Sequence, residues 1–288
     1  MDRHAGSQPQ RVVGSLNYVK RPDEPLYWYS AMDPPPGKPR TNHVLEAHEV
    51  EIENMRQLPG GTDLDVQGFE LVSFDPAVED IYDSRQRISK FDPAVVELIK
   101  RRTGAIEVRV CDAFLRGEEA QRRIPGSITA PAGQVHVDYT PDAGPAFFNT
   151  VLGADADRFR GHRFAIINVW CPITGPLKDH PLALCDARSV GPDDLMVSKA
   201  YSRVGKDGLR SPDGEPVVGE VYYSAFNAGH RWYYAPDMRT DEALLLKNYD
   251  SVTHGVARFS PHCAFKDPTA PVDVLPRASI EVRVLTVW

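Results

Sequence analysis

The sequence predicts a mainly β protein, a sandwich or barrel carrying a few helices. Three observations predict it. Short alternating or wholly apolar runs recur along the 288 residues with turn residues between them; 25 prolines and 21 glycines are scattered rather than gathered into a linker; and only two stretches carry a helical pattern. A composition of 42% hydrophobic and 25% charged residues is ordinary for a globular chain and excludes disorder throughout.

In chain order, Pro34-Pro35-Pro36-Gly37 reads as an extended or turn segment on the surface. Residues 76–83 read as a short helix. Residues 93–102 read as a better one: Asp92 offers an N-cap, Pro93 falls at the first helical position, Val95, Val96, Leu98 and Ile99 form an apolar stripe, and Gly104 ends it. Residues 106–110 alternate as a half-buried strand does, and the Arg/Glu-rich stretch 116–123 reads as a solvated loop or helix face. Residues 134–139 alternate too, which puts Val135 and Val137 on one face and His136 and Asp138 on the other. Residues 164–170 and 182–185 are apolar enough for buried strands. Short strands at 221–223, 232–234 and 243–246 follow, and 279–285 alternates again. The expectation is one domain over 1–288, with about the first 100 residues wrapping a core built from the remainder.

Charge and motifs narrow the function. Forty acidic against 33 basic side chains give a net charge of −7, which argues against nucleic acid as the main partner because phosphate contacts need clustered Lys and Arg. The uncharged run 164–177 spans 14 residues and contains Pro172 and Pro176, so no membrane span is expected. Met1-Asp2-Arg3-His4 leads into polar residues rather than an apolar segment, and no secretory signal is expected. Cys111, Cys171, Cys185 and Cys263 form no C-x-x-C pair, so reduced thiols in a cytoplasmic protein are the expectation. No G-x-S-x-G elbow, Walker A loop or G-x-G-x-x-G fingerprint occurs, and neither NAD nor flavin is expected.

His136-Val137-Asp138 has the form in which one strand face presents an imidazole and a carboxylate to a single metal. Alone it is a weak signal, since chance supplies roughly one His-x-Asp to a chain of this composition. A two-His-one-carboxylate Fe(II) site needs a second His from a distant strand. A 2-oxoglutarate cosubstrate also needs a cation for its distal carboxylate, and the planar fork of arginine suits that task. The C-terminal stretch has this order: His262, then Arg277 15 residues on, then Ser279 on the same strand face. Arg258-Phe259-Ser260 is a decoy, because it precedes His262 and follows His254 by only four residues. His230 is the rival distal ligand, with second-layer hydrogen bonding or substrate contact as its other readings. The plainer alternatives are a hydrogen-bonded His262 at a strand end and a surface ion pair for Arg277. Trp170, Trp232, Tyr233 and Tyr234 read as core or pocket wall, and Tyr139 as pocket lining or packing.

The pieces Leu16-Asn17-Tyr18-Val19, His48-Glu49-Val50-Glu51-Ile52, Val135-His136-Val137-Asp138-Tyr139-Thr140 and Asn168-Val169-Trp170 occur in an ordered set. His230-Arg231-Trp232-Tyr233-Tyr234, Ser260-Pro261-His262-Cys263-Ala264-Phe265 and Pro276-Arg277-Ala278-Ser279-Ile280-Glu281-Val282-Arg283 continue it. In these the chain resembles the Fe(II)- and 2-oxoglutarate-dependent oxygenases of fungal secondary metabolism related to gibberellin desaturase and to the cephem 7α-methoxylase subunit. The resemblance covers nearly the whole chain. It implies a double-stranded β-helix, or jelly roll, with a few flanking helices. It further implies Fe(II) on His136, Asp138 and His262, 2-oxoglutarate anchored by Arg277 and Ser279, and oxidation of an unactivated C–H in a small apolar or polycyclic metabolite. Cys171 departs from relatives, which often carry an Arg there. Two other classes stay open on sequence: a cupin-like metalloenzyme without 2-oxoglutarate, and a jelly-roll binding protein without catalysis. So does the oligomeric state, a homodimer included, since no heptad or sticky stripe is visible.

Overall fold

The β-branched and aromatic runs place their backbone hydrogen bonds in two sheets. The computed structural model describes residues 10–30, 32–124, 127, 130–202 and 217–288. The strands are β1 (Arg11–Val19), β2 (Leu26–Tyr29), β3 (Leu45–Asn54), β4 (Phe69–Ser73), β5 (Glu107–Arg116), β6 (His136–Val137), β7 (Phe164–Pro172), β8 (Leu182–Cys185), β9 (Leu195–Ser202), β10 (Val217–Ser224), β11 (Trp232–Tyr234), β12 (Glu242–Asp250), β13 (His262–Ala264) and β14 (Ser279–Val287). A nine-stranded sheet runs β1-β3-β11-β8-β13-β6-β10-β9-β2, and a five-stranded sheet runs β4-β12-β7-β14-β5. This is the jelly-roll arrangement. Its strands β7, β8, β12 and β13 are buried along their whole length, and β8 and most of β7 read as apolar runs.

Trp170, Leu244 and Leu246 of the smaller sheet pack against Leu182, Leu184 and Tyr233 of the larger one and close the space between them. Behind the smaller sheet, Val95, Leu98 and Ile99 of the helix Asp92–Thr103 cover Ile167, Val169, Val282 and Val284. Gly104 stops that helix in the left-handed region at φ 70°, a conformation glycine adopts without strain. A second helix, Ala143–Leu152, caps one end of the sandwich through Phe147, Phe148 and Leu152. A Cβ at Gly144 would lie 2.7 Å from the Tyr249 ring, so the close approach of that helix requires glycine. Among the described residues no helix is long and apolar enough to cross a membrane.

Two helix expectations need correction. Residues 76–83 are irregular and turn, not helical. Asp75 and Asp80 accept from the backbone N–H groups two residues on, at Ala77 and Tyr82, which offers the backbone a turn in place of a helix. The helix at 92–103 does not begin at an Asp92 cap. It continues a turn that Asp83 caps through Arg85 N–H. Pro93 has no N–H to give the turn before it, and Arg87–Phe91 widens to π geometry, with Asp92 N–H reaching back to the Arg87 carbonyl.

Candidate metal centre

Strand register builds the site. On the inward face of the larger sheet, Leu184, His262, His136 and Tyr223 are successive cross-strand partners on β8, β13, β6 and β10. Directly opposed residues of neighbouring strands share a face, so two histidines 126 positions apart become neighbours, with ring centroids 4.4 Å apart. Asp138 follows His136 by two residues and turns the same way. His136 Nε2 lies 3.6 Å from Asp138 Oδ1, and one ligand atom from each of His136, Asp138 and His262 falls within 4.8 Å of the others.

The protonation pattern suits a metal. His136 Nδ1 donates to the Gln134 carbonyl at 2.7 Å, and His262 Nδ1 donates to the Ser260 carbonyl at 3.0 Å. A carbonyl only accepts, so each Nδ1 carries a proton and Nε2 is the nitrogen left to face a metal. Burial, reinforced by neighbouring His136, lowers His262 to about 4 and keeps it neutral near pH 7. Two imidazole nitrogens and one carboxylate oxygen on one side of a cavity form the donor set that suits Fe(II) with open positions.

Asp138 is itself held. Its Oδ2 accepts from Arg283 Nη2 at 2.9 Å and from Asn168 Nδ2 at 3.1 Å, and its backbone N–H donates to Asn248 Oδ1 at 3.2 Å. A cavity of about 100 Å³ opens beside the three candidate ligands, lined also by Phe114, Arg116, Ala132, Leu182, Arg277, Glu281 and Arg283. Arg277 is 7% exposed, donates to the His180 carbonyl at 2.7 Å and to Ser279 Oγ at 3.4 Å, and lies 4.9 Å from the Trp170 ring centroid. No carboxylate pairs with its guanidinium among the described residues. Burial, with Arg116 pushing the same way, lowers it to about 10. A buried guanidinium without a paired carboxylate has the charge and the planar fork to take an anion. Burial and Asp138 raise the Glu281 carboxyl, against the pull of Arg283 and Arg116.

The structure thus brings together His136, Asp138, His262, Arg277 and Ser279, with Trp170 backing the arginine. It does not bring His230. That ring lies on the opposite face, with Nε2 3.0 Å from Asp194 Oδ2 and Nδ1 3.3 Å from the Tyr18 hydroxyl, so both nitrogens are engaged by protein. Trp232 is on that face too; its indole N–H donates to Tyr18 at 2.9 Å, and it does not line the cavity. The reason is parity: Trp232 alternates with Tyr233, and Tyr233 is the inward residue of β11. Tyr139 is fully buried against Phe147, with the Arg283 guanidinium 5.2 Å from its ring centroid, and does not line the cavity either. Cys171 opposes Ile280 and lies in the core beneath the helix, facing away from the cavity. His254 is exposed, and Arg258 packs on Tyr249 and Phe259.

Sequence reasoning missed Asn168, Arg116, Glu281 and Arg283. Parity alone would have found two of them: positions 279, 281 and 283 share one face of β14, which begins two residues beyond Arg277.

A jelly roll with two histidines, a carboxylate and a buried arginine around one cavity is the scaffold of a metal-dependent oxygenase. A family model described as an oxidoreductase/YMDC permease-like domain matches residues 16–287. The Fe(II)/2-oxoglutarate-dependent dioxygenase nvfI of Aspergillus novofumigatus is 35% identical over 268 residues, 89% of each chain. The hydroxylase/desaturase efuI of Hormonema carpetanum is 35% identical over 260 residues, 86% of each chain. Among solved structures, the iron and alpha-ketoglutarate-dependent endoperoxidase NvfI aligns with a TM-score of 0.82 at 32% identity, over 97% of this chain and 99% of that one. The chain belongs to this family of fungal Fe(II)/2-oxoglutarate-dependent dioxygenases and hydroxylase/desaturases.

Proposed function

We propose that this protein oxidises an unactivated C–H of a small, largely apolar metabolite, with His136, Asp138 and His262 holding Fe(II) and Arg277 with Ser279 anchoring the distal carboxylate of 2-oxoglutarate. The observation that carries the assignment is the convergence of three ligand atoms within 4.8 Å beside a buried arginine that lacks a carboxylate partner. Bound there, Fe(II) and 2-oxoglutarate would supply, with dioxygen as the oxidant, decarboxylation to succinate and carbon dioxide coupled to hydrogen removal from the substrate. The chain supplies position. The two backbone carbonyls fix both imidazole tautomers. Arg277, held by the His180 carbonyl and stacked on Trp170, meets a carboxylate with a preset planar fork. Phe114 and Leu182 give the cavity its apolar wall. A reducing, cytoplasmic setting fits four cysteines that are all free.

The test is succinate formation from 2-oxoglutarate. The wild type should form it only with Fe(II) present, and Asp138→Ala should form none. Iron binding with no succinate from the wild type would move the protein to a cupin-like chemistry without the cosubstrate.

A further inference from the structure

Arg283 and Asn168 lie outside the ligand set, yet their geometry acts on it. On the smaller sheet Arg283 of β14 opposes Asp112 of β5 and Asn168 of β7, so the three form one row facing the cavity. Arg283 is 6% exposed and lies between two rings, 5.2 Å from the Tyr139 centroid and 5.3 Å from that of Phe114. Its Nη1 donates to Asp112 Oδ2 at 2.9 Å, which fixes one arm of the fork. The other arm, Nη2, donates to Asp138 Oδ2 at 2.9 Å, and Asn168 Nδ2 adds a second donor to that same oxygen at 3.1 Å. A carboxylate oxygen accepts through two lone pairs, and here both lone pairs of Oδ2 are directed at protein. Oδ1 is the oxygen turned toward His136 Nε2.

We propose that Arg283, assisted by Asn168, is a positioning residue that makes Asp138 a one-oxygen ligand and biases the bound iron toward the ferrous state. This rests on the ligand assignment above. An aspartate that held the ion through both oxygens would take up a position that cosubstrate and oxidant would otherwise use, so a one-oxygen carboxylate would leave the ion more open. The fixed cation on the distal oxygen also withdraws donor strength from the carboxylate, which disfavours the higher charge of Fe(III) more than that of Fe(II).

The test uses iron alone, on the whole chain. Anaerobic equilibrium dialysis gives the Fe(II) affinity, redox titration gives the Fe(III)/Fe(II) midpoint, and X-ray absorption gives the carboxylate mode. Arg283→Met should weaken Fe(II) binding at least about tenfold. It should also shift the ferrous-to-ferric ratio about tenfold toward ferric, a fall in midpoint of about 59 mV. Arg283→Lys keeps the charge and loses the fork, so it should restore most of the midpoint and less of the affinity. If Arg283→Met fails to fold with Asp112 left unpaired, Asp112→Asn with Arg283→Met replaces it. Asn168→Leu removes one Oδ2 donor with Arg283 intact, and should weaken Fe(II) binding several-fold. A wild type that binds no Fe(II) would refute the ligand assignment. A wild type that binds normally, beside variants of unchanged affinity and midpoint, would overturn the positioning role alone.

Discussion

His262 and His230 are both buried histidines with a carboxylate nearby, on opposite faces of the same sheet. His262 gives Nδ1 to a backbone carbonyl and turns Nε2 into a cavity beside His136 and Asp138. His230 commits Nε2 to Asp194 and Nδ1 to Tyr18, while Asn227 and the Gly191 N–H also donate to Asp194 Oδ2. The first ring is held by protein through Nδ1 and turns its other nitrogen to the cavity; the second is satisfied on both sides and ties β1, the 191–194 turn and the 227–230 turn together. A histidine's role here follows from which of its nitrogens the fold leaves facing open space.

The contrast breaks most sharply on metal content. Ala at His136, Asp138 or His262 should abolish turnover and lower Fe(II) affinity by about a hundredfold or more, whereas His230→Ala should retain one iron per chain. Iron retained in His262→Ala and lost in His230→Ala would reverse the assignment. Next in size is the anchor. Arg277→Leu should raise the 2-oxoglutarate Kd about a hundredfold with Fe(II) affinity little changed, and equal effects on both ligands would place the anchor elsewhere. On the opposite face, His230→Ala removes one of three donors to Asp194 Oδ2 and should destabilise the fold by about 1.5–3 kcal/mol in urea unfolding. An undiminished stability there would mean the pair is replaced by water.

The smallest effect is a pH dependence, to which burial of both histidines contributes in the same direction. His262 is lowered from 6.5 to about 4, so the unfolded chain binds the extra proton between those values. Stability of the metal-free protein is therefore full above pH 6.5 and falls as pH drops toward 4, by about 1–3 kcal/mol from this group. In His262→Gln that part of the acid loss should vanish from the pH profile of unfolding.

Much of the site was legible because strand parity is. His136 with Asp138, and Arg277 with Ser279, follow from the period of two and from chemistry that wants their side chains together. The pairing of β13 with β6 was not legible, since no local signal says which of the fourteen strands among the described residues lies beside which across 126 positions. Parity also misled where the anchoring neighbour was unknown. The His230-x-Trp232 piece reads equally well facing in or out, and only the pairing of Trp232 with Cys185 and Ile52 sets it outward. Residues 76–83 failed because aspartates that accept from their own backbone outcompete a weak helical pattern. The helix Ala143–Leu152 escaped notice, with glycine and proline at its second and third positions.

The most direct test is an anaerobic titration of the Fe(II)-loaded protein with 2-oxoglutarate, followed by the weak visible charge-transfer band of the keto acid on iron. The wild type and His230→Ala should both develop the band and saturate at one cosubstrate per iron, and His262→Ala should not. A wild type that stays colourless, or a His262→Ala protein with an undiminished band, would contradict the account.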